Sequence, residues 1–347
     1  MTTGLYYSPK YLEHAAPGHP ESPARLETAW GQLQRYGLLS DVAVAAPPPA
    51  ELEDLERVHT PAHVRAVRAI AEDGGGWIDG DTFVAPASYD AALLAAGAAI
   101  AGTDAVLSGR QENAFALVRP PGHHALPDRA MGFCLFNNVA VAAAWARARG
   151  GAERVLIVDF DVHHGNGTQD IFYDRADVVL FSTHQFPLYP GTGRLAETGV
   201  GAGTGYSVNL PLPPGCGDAV YVQAFDEVLA PLARRWRPDL IIVSAGYDAH
   251  FSDPLANMRL TVEGYVSLVE RLGALARELC GGRLVTLLEG GYSLGAVAAS
   301  VVATCQVLAG QAPIGDPLGA PPPTPSPRAA DDVLAAARGL HHIGQPA

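Results

Sequence analysis

Four residues that bind cations or protons lie within a stretch of six. They directly follow the apolar run 155–158 and are Asp159, Asp161, His163 and His164. On an extended backbone alternate residues share a face, so Asp159, Asp161 and His163 are expected to point the same way. A carboxylate and an imidazole two residues apart supply half of a zinc site, which must keep one position open for catalysis. A lone His or Asp is usually structural, but this density at a strand end favours a metal site.

A second pair of histidines follows another apolar run, 115–118, through the segment Arg-Pro-Pro-Gly. Adjacent side chains on an extended strand point to opposite faces, so His123 and His124 are poorly arranged to bind one metal. The Pro-Pro-Gly segment predicts a turn, which would let both histidines flank a substrate. We interpret them as proton carriers.

Two further apolar runs end in polar groups. Run 240–244 leads to Asp248, and run 284–288 leads through Glu289 and two glycines to Tyr292. Asp248 is the candidate third ligand for Asp161 and His163, whereas Asp253 precedes a proline and is interpreted as a brace for its loop. A metal, two histidines and a tyrosine hydroxyl suit amide hydrolysis, although Tyr292 taken alone is more often a packing residue.

The elements that must position these groups alternate between strands and helices. This alternation predicts a parallel sheet covered on both faces, with ligands at the carboxyl ends of the strands. Helices are predicted near 25–33, 89–107, 220–236 and 262–279, and a last short one at 331–339 after the proline-rich segment 311–328. His59 and His63, in a predicted helix pair, are interpreted as structural.

Composition bounds the function. The 347 residues are 48% hydrophobic and 17% charged, enough for a large core in one α/β domain or two smaller ones. The net charge of −13 argues against nucleic-acid binding and favours cationic substrates, although many soluble proteins are equally acidic.

The spacing of the cysteines and the pattern of the first residues indicate where in the cell the protein is located. The cysteines form no CxxC pair, which argues against a disulfide framework and a thiolate zinc site; they are Cys134, Cys216, Cys280 and Cys305. The first residues lack a basic segment followed by an apolar one, and the alanine-rich run 91–101 is too short to span a bilayer. We expect a cytoplasmic protein without membrane contact.

Five segments together carry a family resemblance: RPPGHHA, GFCLFNNVAVAA, VDFDVHHGNGTQDIFY, SAGYDAHFSDPL and LEGGY. The chain resembles the zinc-dependent histone deacetylase family, in particular its class II branch and the bacterial amidohydrolase relatives, from about Leu5 to Leu308. The combined motifs are specific, whereas a lone HH or GGY is not. The resemblance implies one arginase-like α/β domain, residues 1–310, around a mostly parallel eight-stranded sheet. Residues 311–347 would form a proline-rich extension with a short helix, packed on that domain.

The resemblance also assigns roles around a metal. It makes Asp161, His163 and Asp248 the ligands of Zn²⁺, with Fe²⁺ as an alternative, and Tyr292 the group that stabilises the oxyanion. A structural monovalent cation, K⁺ by resemblance, would be bound near Asp159, Asp161, His163, Ser182 and Thr183.

The resemblance assigns the proton carriers as well. His123 and His124 become the proton-transfer pair, with Asp159 accepting from His123 and Asn166 pairing with His124, where class I enzymes carry an aspartate. An amide orients imidazole without the raised pKa that a carboxylate gives, so His124 is expected to be neutral and to act as the base.

The same resemblance implies an apolar tunnel for the acylated side chain. Its wall would be formed by Gly132, Phe133, Tyr189, Leu255 and Gly291. The position of Tyr189 is usually phenylalanine in the family. Such a slot accepts the lysine methylenes and rejects charge until the amide reaches the metal.

Three functions remain open at this stage: a deacetylase of acyl-lysine in peptides or proteins, a deacetylase of acetylpolyamines or other small amides, and an inactive binding module. Leu255 occupies the position where some polyamine-selective relatives carry glutamate, which favours acyl-lysine. Glu13, Glu21 or Asp81 could instead supply a carboxylate at the rim. The intact site argues against the binding module, and a homo-oligomer is compatible with each function.

Overall fold

A computed structural model describes residues 2–343 and has an eight-stranded sheet at its centre. The strands, in chain order, are β1 (Thr3–Tyr6), β2 (Ala43–Ala45), β3 (Gly76–Trp77), β4 (Phe83–Val84), β5 (Asn113–Ala116), β6 (Val155–Asp159), β7 (Val178–Gln185), β8 (Ser207–Leu212), β9 (Leu240–Ala245) and β10 (Leu284–Leu288). The sheet order is β2-β1-β5-β10-β9-β6-β7-β8, and β3 pairs with β4 in a separate hairpin. All neighbours in the large sheet are parallel, which confirms the predicted α/β fold.

The helices cover both faces of this sheet. They are α1 (Pro23–Arg35), α2 (Leu52–Leu55), α3 (Pro61–Glu72), α4 (Ser88–Leu107), α5 (Asn138–Ala148), α6 (Asn166–Phe172), α7 (Asp218–Ala224), α8 (Ala230–Trp236), α9 (Val262–Cys280), α10 (Leu294–Leu308) and α11 (Arg328–Leu340). A π-helical turn, Phe225–Leu229, joins α7 to α8. Pro231 follows that turn and has no N–H to donate, so the wider turn costs little backbone hydrogen bonding there.

Burial on both faces explains why the strands read as continuous apolar runs. Leu156, Ile157 and Val158 of β6 are fully buried, as expected for a parallel strand between two helical layers. The helix α10 is apolar all round and almost entirely buried. Periodicity did not predict it, because a helix without a polar face has no amphipathic pattern.

The alanine-rich helix α4 is a core element. By length and composition it could cross a membrane, but 61% of its apolar 18-residue window is buried inside the fold. It packs against α5 and β5. A Cβ on Gly97 would lie 1.9 Å from the carbonyl oxygen of Pro48. A side chain is therefore excluded where the loop that contains Pro48 crosses α4.

Two predicted boundaries differ from the structure. The strand predicted at 115–118 is Asn113–Ala116, so Leu117 and Val118 already lead into the histidine turn. The apolar run at 178–182 predicts a strand with His184 after its end, whereas β7 continues to Gln185 and contains His184.

The C-terminal segment covers one edge of the large sheet. Helix α11 packs against the edge strand β8, which protects that edge from pairing with other strands. Arg235 Nη1 donates to the carbonyl of His341 at 2.7 Å, and Arg338 pairs with Glu227. The domain division at residue 310 stays a prediction, and residues 344–347 of the proposed extension lie outside the described residues.

Candidate active site

Three buried ligand groups converge where β6 and β9 end side by side. Asp161 follows β6, Asp248 follows β9, and one ligand atom from each, together with one from His163, lie within 4.8 Å of one another. Nδ1 of His163 is 3.2 Å from Oδ1 of Asp161 and 3.2 Å from Oδ2 of Asp248. The three ligands predicted from the sequence are therefore brought together.

The environment of these groups fits a divalent cation. Gly290 N donates to Oδ2 of Asp161 at 2.8 Å and Val162 N donates to Oδ1 of Asp248 at 2.9 Å. Oδ2 of Asp248 receives no well-directed hydrogen bond among the described residues. Two buried carboxylates need positive charge nearby. Although burial opposes it, the adjacent carboxylates of Asp161 and Asp248 raise the pKa of His163 to about 10, and a bound metal would displace that proton.

The two adjacent histidines share one side of a tight turn after β5. Ala125 N donates to the carbonyl of Gly122 at 3.0 Å, and the imidazole centroids of His123 and His124 lie 4.0 Å apart. Nδ1 of His123 is 3.0 Å from Oδ2 of Asp159. On an extended backbone these adjacent side chains would point to opposite faces. The predicted turn places them on the same side instead.

An open cavity of about 250 Å³ leads to these groups. Its lining residues are Asp81, His124, Gly132, Phe133, His163, Leu188, Tyr189, Leu255 and Tyr292. Of the predicted tunnel residues, Gly291 is absent from this lining, because its positive-φ turn packs against Val297 and Tyr247. Leu188 was not predicted, since nothing in the pattern of a long loop shows which side chain turns inward.

The carboxylate of Asp253 braces the wall of this cavity. It accepts from the backbone N–H groups of Leu255 at 3.0 Å, Tyr292 at 2.6 Å and Ser293 at 3.0 Å. Asp253 lies outside the ligand cluster, in agreement with its interpretation as a brace. It ties the β9 loop to the loop that carries Tyr292.

The three rim candidates have different surroundings. Asp81 lines the cavity, whereas Glu13 is exposed away from it. Glu21 is fully buried and binds Arg25 and Arg119, so of the three alternatives it is not the rim carboxylate.

That buried ion cluster was missed by sequence reasoning, although a signal was present. Arg25 belongs to the inward-facing stripe of α1, together with Leu26 and Ala29. An arginine in such a stripe requires a partner, and Glu21 precedes it by four residues, just before the helix begins. Nε of Arg25 donates to the carbonyl of Gly291 at 2.6 Å, so the cluster supports the Tyr292 loop.

The residues expected to bind a monovalent cation are adjacent and buried. Asp159 pairs in register with Ser182 on the neighbouring strand. Both are fully buried, and the hydroxyl oxygen of Thr183 has no hydrogen-bond partner among the described residues. The cation itself stays a prediction.

Similarity to known proteins agrees with this geometry. A model of the histone deacetylase domain matches residues 19–308. The chain is 46% identical to a probable deacetylase of Archaeoglobus fulgidus over 297 residues, covering 85% of this chain and 82% of the relative. It is 44% identical to a histone deacetylase-like amidohydrolase of Pseudomonas aeruginosa over 308 residues, covering 88% and 80%. The crystal structure of the HDA15 HD domain superposes with a TM-score of 0.90 at 38% identity, covering 98% of this chain and 94% of that one.

Proposed function

Because the chain belongs to the histone deacetylase family, we propose that it removes acetyl or other short acyl groups from the side-chain amine of lysine. The family makes it a deacetylase or amidohydrolase, a hydrolase of linear amide C–N bonds. One observation carries the choice of lysine: the cavity has apolar walls, including Phe133, Leu188 and Leu255, that end at His124 and Tyr292. Such walls suit four methylenes followed by a neutral amide.

The metal in this proposal is Zn²⁺, and Fe²⁺ suits the same ligands. Two aspartate oxygens and one histidine nitrogen leave a coordination position for water or substrate. A metal held by Asp161, His163 and Asp248 supplies polarisation of the acyl carbonyl and a more acidic water molecule. Two anionic ligands weaken that acidifying effect, so a protein base is needed as well.

His124 is the proposed base. Burial and the neighbouring His123 lower its pKa well below the usual value, so the imidazole is neutral. Its Nδ1–H donates to Oδ1 of Asn166 at 2.7 Å, which leaves Nε2 to take a proton from the attacking water. The new C–O bond forms as this proton moves to His124.

Tyr292 and the histidine pair complete the reaction. The Tyr292 hydroxyl donates to the carbonyl oxygen as that oxygen becomes anionic. The pair, with His123 held by Asp159, then protonates the leaving nitrogen as the C–N bond breaks. The products are a free amine and a carboxylate.

A structural K⁺ beside Asp159 is part of the same proposal. The buried carboxylate of Asp159 and the hydroxyl of Ser182, its in-register neighbour on β7, supply oxygen atoms of the kind that a monovalent cation prefers. Its role would be to fix the end of β6, from which Asp161 and His163 follow.

Deacetylation of acetylpolyamines is the second candidate, and the position of Asp81 favours it. Its carboxylate lines the cavity, where it could meet the distal ammonium of a polyamine. Burial and the neighbouring Asp79 raise the pKa of Asp81, as expected for two carboxylates close together.

The deciding experiment compares kcat/KM for acetyl-lysine peptides and acetylated polyamines, with wild type and Asp81→Asn in parallel. We expect acetyl-lysine peptides to be the better substrates and the order of preference to survive in the variant. A wild-type preference for polyamines that disappears in Asp81→Asn would establish the second candidate instead.

A further inference from the structure

A buried carboxylate joins the two loops that carry the proposed acid-base and oxyanion groups. Glu289 follows β10 directly and its side chain is fully buried. Oε2 accepts from the backbone N–H of Gly122 at 2.6 Å and of His123 at 3.2 Å, while Oε1 accepts from the Ser244 hydroxyl at 3.2 Å. The side chain thus reaches from the Tyr292 loop to the histidine turn.

The main chain at Glu289 is fixed as well. Arg25 Nη2 donates to the carbonyl of Glu289 at 2.5 Å, and Arg25 Nε donates to that of Gly291. The same guanidinium lies 5.1 Å from the ring centroid of Tyr292. Arg25 therefore anchors the backbone at both Glu289 and Gly291, which precede Tyr292.

Packing alone does not account for an acidic residue at this position. A buried carboxylate is costly unless its oxygens are hydrogen-bonded, and an apolar side chain of similar volume would fill the space without that cost. What an apolar residue cannot do is accept from the two consecutive N–H groups of the histidine turn. Those N–H groups would then be buried without a partner.

We propose that Glu289 is a positioning residue for amide hydrolysis, whose carboxylate holds the turn bearing His123 and His124 in register with the loop bearing Tyr292. This inference rests on the proposed function, because it concerns the geometry of the same reaction. It assigns Glu289 no contact with the substrate. Its action is transmitted through the backbone of Gly122 and His123.

The test compares Glu289→Ala with Glu289→Gln. The glutamine amide oxygen can accept from both N–H groups while its NH₂ donates to Ser244, so this variant should stay within about threefold of wild-type kcat. The alanine variant releases the turn, and kcat should fall by about 10²-fold, as for a misplacement near 1 Å, with KM and bound metal almost unchanged. Hydrogen exchange at the amides of Gly122 and His123 should accelerate in the alanine variant only.

Asp239 provides a matched control. Its Oδ2 also accepts from two consecutive backbone N–H groups, those of Glu153 at 3.0 Å and Arg154 at 2.9 Å, at the opposite end of the sheet. Asp239→Ala should leave kcat unchanged. An active wild type whose kcat is equally insensitive to both alanine substitutions, or an alanine variant that loses its metal, would overturn the positioning role. Wild-type inactivity on all acylated amines would reject the proposed function instead, and the exchange measurement would still report whether Glu289 holds the turn.

Discussion

Nδ1 of His124 lies 2.7 Å from the amide oxygen of Asn166, which carries no charge. Its neighbour His123 instead faces the carboxylates of Asp159 and Asp161, which outweigh burial and raise its pKa to about 10. Burial and His123 lower the pKa of His124. The pKa values of these two adjacent imidazoles are thus shifted in opposite directions, a separation typical of acid and base partners.

Asn166→Asp tests the importance of that uncharged partner. A carboxylate beside Nδ1 favours the imidazolium form, so the pKa of His124 should rise. Because the base must be neutral, the acidic limb of the kcat/KM profile should move to higher pH. Activity measured across pH with a neutral acetylated substrate checks this. An unshifted acidic limb would mean that His124 is not the base.

Removal of one ligand should remove metal and activity together. Asp248→Ala deletes one of three ligand side chains, so metal content measured by elemental analysis should fall with kcat. Asp253→Asn is the control, because Asp253 lies outside the ligand cluster and should keep its metal. Full occupancy and full turnover in Asp248→Ala would refute the site assignment.

Much of this site was predictable because it depends on strand ends. The carboxyl ends of parallel strands lie at one edge of the sheet, so Asp161 and Asp248 were expected at the same edge. That β6 and β9 are neighbours, although β7 and β8 separate them in the chain, is shown by the structure. The cavity wall was less predictable from short-range patterns. Asp81 was one of three open rim candidates, and Leu188 lies on a loop whose course no such pattern determines. The buried position of Glu21 was missed because a charged residue in a proline-rich loop is ordinarily solvated.

Leu255→Glu should shift substrate preference toward polyamines. Leu255 lines the cavity, and a carboxylate there would attract a distal ammonium while making the slot less suited to lysine methylenes. The ratio of kcat/KM for acetylspermidine to that for an acetyl-lysine peptide should increase. Leu255→Gln, similar in size but uncharged, is the control. If both variants changed the ratio equally, charge at this position would not set specificity.

Acid should destabilise the fold through His59, a structural histidine. Its Nδ1 donates to the carbonyl of Leu126 at 2.9 Å and its Nε2 accepts from Asn137 N at 2.8 Å. Burial and the neighbouring His63 lower its pKa to about 3. The unfolded state therefore binds a proton first, so this contribution is complete above pH ~6.5 and is lost as the pH falls toward 3.

His59→Gln isolates that contribution because glutamine keeps an acceptor for Asn137. Urea unfolding between pH 7 and 4 should give a free energy of unfolding that falls less steeply with acid in the variant. The difference in slope should approach one proton, about 1.4 kcal/mol per pH unit. Parallel curves would show that His59 is not protonated on unfolding.

Tyr292→Phe separates chemistry from packing at the proposed oxyanion group. The ring is held by Arg25, 5.1 Å from its centroid, and by Phe133 at a centroid distance of 5.7 Å, and phenylalanine keeps both contacts. The melting temperature and the metal content of the variant should equal those of the wild type. The lost hydroxyl should lower kcat by about 10²–10³, roughly 2.7–4 kcal/mol, with little change in KM, because the interaction belongs mainly to the transition state.

Tyr265→Phe supplies the comparison for simple loss of a hydroxyl. Tyr265 is fully buried, and its hydroxyl has no hydrogen-bond partner among the described residues. This variant should leave kcat unchanged, whereas a packing role for Tyr292 predicts that both phenylalanine variants behave alike. A Tyr292→Phe enzyme within about threefold of wild-type kcat would remove the oxyanion role, since loss of such a donor ordinarily costs far more. Hydrolysis would then depend on the metal and the histidine pair alone.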